Sequence, residues 1–411
     1  MLIMGTRLYT NFINPFIVVA FISITALFYL LRLTYQFNIP NENTVVYLIA
    51  SIFSLTVGVA IGVRKINTGK LTLYNVEDTP IKIINRKKIE VFAMLSCILS
   101  TVAYIYEHVV FYYRFGSLPI LNAEFELLRL DFPVSGYVHI LALSGFVFLF
   151  HLYFESLSHS CVNNSRSKSI YHFVLIFSLI HILLSLAVGN RGVVAYYLLQ
   201  CFLLRSVFHR VSFLRALLYA GLFLYILGLA KFYRDYLFLG DVLYNDVGKV
   251  WFFGDNVFLI PVYYIYVTLC MNFEILNQYV MADFEPMMGY FTFVLPIDSL
   301  FTGNAYELID FQRDVLGIDF HGVLTATGFG VPYFDFGLGG VIITFILSFV
   351  FGLSYYYSII RLKLHLLPFY IYFFTTVITF VYTYNFNKIY VVVYLFLLIF
   401  MGCFSQRKYL R

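Results

Sequence analysis

Apolar residues run through this chain in long stretches broken by short polar ones. The stretches fall at 14–33, 44–63, 89–112, 136–154, 170–188, 193–208, 212–230, 337–358, 367–384 and 388–404. Most approach the ~20 residues that a helix needs to cross a hydrocarbon core. Backbone N–H and C=O groups inside a bilayer must be satisfied within the protein, so each run is predicted as a helix. The pattern predicts an all-α, polytopic helical membrane protein of about ten transmembrane helices. The first run has no small-residue cleavage pattern and reads as a retained anchor. No fixed-period repeat, low-complexity tract or soluble domain boundary interrupts the series, so residues 1–411 read as one membrane domain.

Composition agrees. The chain is 61% hydrophobic and only 12% charged, with a mean hydropathy of +0.84. A soluble chain of this length carries far more polar surface. The five cysteines are widely spaced, with no metal-ligand clustering, and read as small packing residues.

Charge orients the spans. Lys and Arg concentrate on cytoplasmic loops. Arg64, Lys65, Lys70, Lys82, Arg86, Lys87 and Lys88 fix the linker after the second run inside. Arg166 and Lys168, then Arg205, Arg210 and Arg215, then Arg361 and Lys363, and the tail Arg407, Lys408 and Arg411 fall inside by alternation. Both termini are then cytoplasmic. The long stretch 231–336, between helices 7 and 8, falls outside. It holds four Lys/Arg against thirteen Asp/Glu. Within it, 256–273 is apolar enough to tempt a crossing, but one extra span would invert every basic loop after it. It reads as an interfacial or re-entrant helix, or as half of a crossing pair with 287–301. The insertion is expected to be partly helical and partly membrane-embedded.

Candidate chemistry gathers outside. In "LLSLAVGNRGVVAYYLL" (184–200), Gly189, Asn190, Arg191 and Gly192 form the external turn of a helical hairpin. Arg191 would then stand at a helix N-terminus, where free N–H groups and the dipole favour an anion. A guanidinium there binds phosphate bidentately or snorkels to lipid headgroups. Lys231 and Arg234 leave a span directly and lie near the outer headgroups, as anchors or as phosphate ligands. Arg313 sits between Asp310 and Asp314, as a local ion pair or as a ligand. His321 is the sole histidine of the insertion and a candidate general base, with Asp314 and Asp235 as alternatives. Asp283 and Glu285 mark a helix boundary. No phosphate-binding loop, dinucleotide fingerprint, zinc-protease motif or serine-nucleophile elbow occurs, so no cofactor and no metal is expected. The basic loops are short topological signals and give no support to nucleic-acid binding.

Three patches, in this order, resemble the Wzy-type oligosaccharide repeat-unit polymerases of bacterial O-antigen and capsule assembly. They are "FGSLPILNAEFELLRLDF" (115–132), "GNRG" (189–192) and "TGFGVPYFDFGLGGVIITFILSFVFGL" (327–353). The resemblance covers most of the chain in layout and only these patches in residues. It implies a glycosyltransferase of the bacterial inner membrane. Donor and acceptor would be undecaprenyl-diphosphate-linked oligosaccharides, with a polysaccharide chain-length regulator as a partner in the same membrane. Arg129 matches the arginine of the first patch and Arg191 that of the second, both as diphosphate binders. Two other readings stay open: a lipid-linked-oligosaccharide flippase and an O-antigen ligase. If Arg191, Arg234 and Arg313 serve one leaving group, they must line one small cavity, with His321 or an acid facing it and Arg129 on its rim.

Overall fold

The computed structural model describes residues 12–64, 81–83, 86–116, 135–160, 165–187, 191–209, 258–282, 284–301, 308–317, 325–361, 363–404 and 407–409, with scattered positions between 211 and 256. The helices are α1 (Pro15–Leu30), α2 (Glu42–Arg64), α3 (Arg86–Phe115), α4 (Gly136–Ser160), α5 (Ser165–Ala187), α6 (Arg191–Phe208), α7 (Ile260–Met281), α8 (Leu295–Phe301), α9 (Leu308–Leu316), α10 (Gly330–Phe336), α11 (Gly340–Tyr355), α12 (Leu367–Ile378) and α13 (Ile389–Phe404). Six segments are long and apolar enough to cross a membrane: 42–64, 87–115, 136–158, 168–187, 330–360 and 364–381. Three shorter apolar helices occupy 15–30, 192–208 and 389–404. Nine of the ten apolar runs are therefore helical. The tenth, 212–230, lies mostly outside the described residues.

One feature departs from the all-α expectation. Strand β1 (Ile81–Ile83) pairs antiparallel with β2 (Arg407–Tyr409), Lys82 opposite Lys408. Both pieces are too short and too polar to register as apolar runs. The pairing puts the basic linker and the basic tail on one side of the bundle, called here the tail side. The opposite, hairpin side carries the turns at 31–41 and 382–388 and the starts of α4 and α6.

Close approach of helices comes from small residues. In α2, Gly58 and Gly62 are four apart and meet Ser348 and Gly352 of α11, which are also four apart. A Cβ on Gly62 would lie 2.5 Å from the Phe349 carbonyl oxygen and 2.9 Å from Gly352 Cα. Without a hydrophobic drive between helices in lipid, such backbone proximity and its dispersion contacts supply association. A second tight junction joins α3, α4 and α5. Ser100 donates to the Leu141 and Ala142 carbonyls, each at 2.7 Å. Gly145 leaves room for the His181 ring, which bonds Thr101 Oγ1 at 3.0 Å.

The insertion does not hang free. Helix α7 meets the 25–44 stretch at both of its ends. Tyr263 donates to Gln36 Oε1 (2.9 Å), Tyr29 donates to Glu274 Oε2 (3.1 Å), and Thr44 donates to Asn277 Oδ1 (2.8 Å). Cys270, midway along, meets the Thr25 carbonyl at 3.9 Å. A helix of this length measures ~33 Å. Lying alongside α1, it would reach that helix's far end. Instead it crosses the hairpin-side ends of α1 and α2. The apolar part of the "TGFGVPYFDFGLGG" patch is a packing knot. Gly328 N–H donates to the Phe380 carbonyl at 2.6 Å, and Tyr47 donates to the Phe329 carbonyl at 2.8 Å. Buried Asp335 accepts from the amides of Phe291 (2.9 Å) and Thr292 (2.6 Å). It thereby caps the π-helical turn Tyr290–Val294 that leads into α8.

Candidate functional site

A cavity of about 410 Å³ opens between α4, α6, α12 and α13 on the hairpin side. Its walls follow from helix periodicity. Leu143, Phe146 and Val147 lie on one face of α4, and Gly192, Tyr196 and Gln200 lie on one face of α6, at spacings of three and four. The turn after α12 adds Tyr382, Thr383, Asn385 and Lys388, and α13 adds Tyr390 and Tyr394. Its size falls in the range of small-ligand sites.

Three of the six lining tyrosines, Tyr196, Tyr197 and Tyr394, are held by their hydroxyls. Tyr394 donates to the Ile140 carbonyl at 2.8 Å, and Tyr197 shares a 2.6 Å bond with Ser178. Tyr196 bonds Thr376. Gln200 donates to Thr375 Oγ1 at 3.2 Å, and Asn385 donates to Thr379 Oγ1 at 2.7 Å. Fixed hydroxyls fix the rings, so the wall offers apolar ring faces edged by amide and hydroxyl groups. That surface suits a ligand with C–H faces and many hydroxyls. Lys388 puts a cation into the same wall. Within the same turn, Tyr384 is buried.

The sequence-derived candidates divide. Helix α6 starts at Arg191 and its next residue, Gly192, lines the cavity. The Arg191 side chain lies outside the described residues, as do Asn190, Arg129, Lys231, Arg234, Asp235, Asp283 and His321. Arg313 does not line this cavity. Its guanidinium bonds Asp310 at 3.0 Å and lies 3.9 Å from Asp314. The physical reason is the amphipathicity of α9: Phe311 and Gln312 are buried, which leaves Arg313, 56% exposed, and Asp314 on the outer face. Arg313 thus makes the local ion pair that its flanking acids suggested, and the shared cavity expected with Arg191, Arg234 and His321 involves side chains outside the described residues. Such exposed i,i+3 pairs contribute only ~0.3–0.5 kcal/mol. Glu285 is exposed beside the turn that precedes the 290–294 segment.

Two groups escaped the sequence reading. Lys388 was legible only as the polar end of an apolar run. Glu107 and His139 stand on different helices, 32 residues apart, and meet at 2.5 Å (His139 Nδ1 to Glu107 Oε1). A signal existed in the glutamate at the end of an apolar run, since an ionisable residue at membrane depth is a functional candidate by default. Scans of the chain against family models, curated proteins and solved structures return no match.

Proposed function

We propose that the chain is a polysaccharide polymerase. It would transfer a growing glycan from undecaprenyl diphosphate onto the next lipid-linked oligosaccharide repeat unit, on the external face of the bacterial inner membrane. The observation that carries the reading is the tyrosine-walled cavity on the hairpin side, with Lys388 in its wall and the start of α6 at its edge. In the ten-span topology, with both termini cytoplasmic and 231–336 outside, that side is external. Nucleotide sugars are cytoplasmic, so a transferase working outside needs a donor already on lipid. Its leaving group is then a diphosphate, and a cation beside a helix N-terminus is the environment that stabilises charge developing there. Arg191 and Arg129 would join Lys388 in that role, and Lys231 and Arg234 would hold the carrier headgroup.

Deletion of the gene tests the activity. A polymerase deletion leaves single repeat units on the lipid A core. Polymer stranded on its carrier indicates a ligase instead, and inward-facing repeat units indicate a flippase. Topology has its own test, in a chain freed of its native cysteines. A cysteine placed at Glu285 is expected to react with an impermeant maleimide in spheroplasts, and one placed at Asn75 only after lysis. The reverse pattern overturns the orientation.

Transfer is expected to proceed in excess EDTA, because the cations of the site take the part that a divalent ion plays elsewhere. Among the described residues no three His, Cys, Asp or Glu side chains are grouped to hold an ion. Polymerisation by the purified chain on lipid-linked repeat units measures this. Loss of polymer that Mg²⁺ or Mn²⁺ restores refutes it.

A further inference from the structure

We infer that the side-chain oxygens of Gln200 and Asn385 form the part of the cavity that reads the sugar, each accepting a hydrogen bond from a hydroxyl or amide N–H of one neutral glycosyl residue; the inference rests on the polymerase reading above. Both residues line the cavity. Gln200 is only 3% exposed. A carboxamide so deeply placed is costly unless both of its ends find partners.

The hydrogen bonds fix which end of each amide is left for a ligand. A threonine hydroxyl has one hydrogen. Thr375 spends it on its own helix, with the Tyr372 carbonyl at 2.8 Å and that of Ile371 at 3.1 Å. Toward Gln200 it can only accept, and Gln200 Nε2 donates to it at 3.2 Å. Thr379 repeats the arrangement. Its hydrogen goes to the Thr376 carbonyl at 2.7 Å, and Asn385 Nδ2 donates to it at 2.7 Å. Turning either amide over would set oxygen against oxygen. Each is tied by its nitrogen, and neither Gln200 Oε1 nor Asn385 Oδ1 has a hydrogen-bond partner among the described residues. The Gln200 oxygen is open to the cavity and not sealed in the packing.

Position makes the two oxygens one device. Their anchors, Thr375 and Thr379, stand one turn apart on α12 and the 3-10 turn that extends it, ~6 Å along the axis. One sugar residue with its substituents can bridge that separation. Gln200 lies two turns into α6 from Gly192, on the same face, ~12 Å from the start of the helix. The Tyr196 and Tyr394 hydroxyls are engaged within the protein, so these residues offer the ligand their ring faces. A few placed polar groups in an apolar wall then fix its orientation. An amide oxygen repels a phosphate and attracts a hydroxyl. This part of the cavity therefore selects the glycan, not the diphosphate.

The test uses the full chain, purified in detergent. The probe is the parent cell's own repeat-unit oligosaccharide, freed from its carrier by mild acid and titrated by calorimetry. The lipid-linked form serves for turnover. Gln200→Met keeps the length of the side chain and removes the amide oxygen. It is expected to weaken oligosaccharide binding about tenfold and to raise KM by a similar factor while kcat falls less, with unchanged elution and melting. Asn385→Ala should act alike from the turn. Thr375→Val leaves the Gln200 oxygen but frees the amide, and a smaller loss is expected. Undecaprenyl diphosphate alone should bind all three variants as it binds wild type. If Gln200→Met and Asn385→Ala bind the oligosaccharide as tightly as wild type, the sugar subsite is overturned, and polymer formation leaves the polymerase reading standing. Equal losses for the oligosaccharide and for undecaprenyl diphosphate also overturn it. A wild-type chain that binds the oligosaccharide through Gln200 but forms no polymer keeps the subsite and overturns the polymerase reading.

Discussion

Replacing Gly62 with leucine should empty the membrane of folded protein. The position has no slack. A single carbon added there meets the Phe349 carbonyl oxygen at 2.5 Å, Gly352 Cα at 2.9 Å and the Leu353 nitrogen at 2.9 Å. All three are backbone atoms of α11, so no side chain can swing aside. Helices α2 and α11 must separate or slide, and either motion forfeits the dispersion contacts that hold them. Overpacking a core costs ~1–3 kcal/mol where neighbours can adjust, and more is expected here because they cannot. A domain stable by only ~5–15 kcal/mol loses much of its margin. The damage spreads, because Tyr47 of α2 also bonds the Phe329 carbonyl and so ties that helix to the packing knot. Detergent extraction with size-exclusion detection should give a small fraction of the wild-type monomer peak. Gly62→Ala should fall between the two. Gly136→Ala, where an added Cβ meets nothing within 4 Å, should match wild type. Normal yield and melting in Gly62→Leu would mean that α2 and α11 are not packed as described.

How much of this was legible in the sequence differs between elements. Helix existence was, because a bilayer forces long apolar runs to satisfy their own backbones, and nine runs match helices. The helix within 256–273 was also legible as an apolar run, and α7 (Ile260–Met281) covers most of it. The α2–α11 seam was written as small residues four apart in both helices, at Gly58 and Gly62 and at Ser348 and Gly352, but pairing two helices almost 300 residues apart needs the fold. The β1–β2 pairing had no signal, since three-residue strands have no readable period. For the site, single polar residues in the sequence could be ranked only by type and by expected side. That ranking kept Arg313 as a candidate beside the reading of a local ion pair, and Asp310 does pair with it. It passed over Glu107 and His139, because their chemistry exists only when α3 and α4 lie side by side. Lys388 looked like a helix end, and it became a cavity residue because α13 packs against α4 and α12.

Arg191 and Lys388 should prove to be parts of one device. Lys388 lines the cavity from the turn just before α13, and Gly192, the residue after Arg191, lines it from α6. If a diphosphate leaves within this space, both cations act on charge that grows as the anomeric bond breaks, and the amides at the start of α6 add to them. Removing either should then raise the barrier more than it weakens binding. Lys388→Ala and Arg191→Ala are each expected to lower kcat/KM about 100-fold, which is ~2.7 kcal/mol, with protein yield unchanged. Lys388→Glu should abolish polymer, since it places a carboxylate against the leaving group. Arg191→Lys should recover little, because an ammonium keeps the charge but loses the bidentate fork. The decisive measurement is the double variant. Two groups that stabilise the same diphosphate are not independent, so the losses should fail to add by ~1 kcal/mol or more. Independent roles, with Arg191 anchoring headgroups and Lys388 merely solvating the mouth, give additive losses within ~0.3–0.5 kcal/mol. Additivity, or full activity in Arg191→Lys, would separate the two residues and leave the cavity without its proposed anion site.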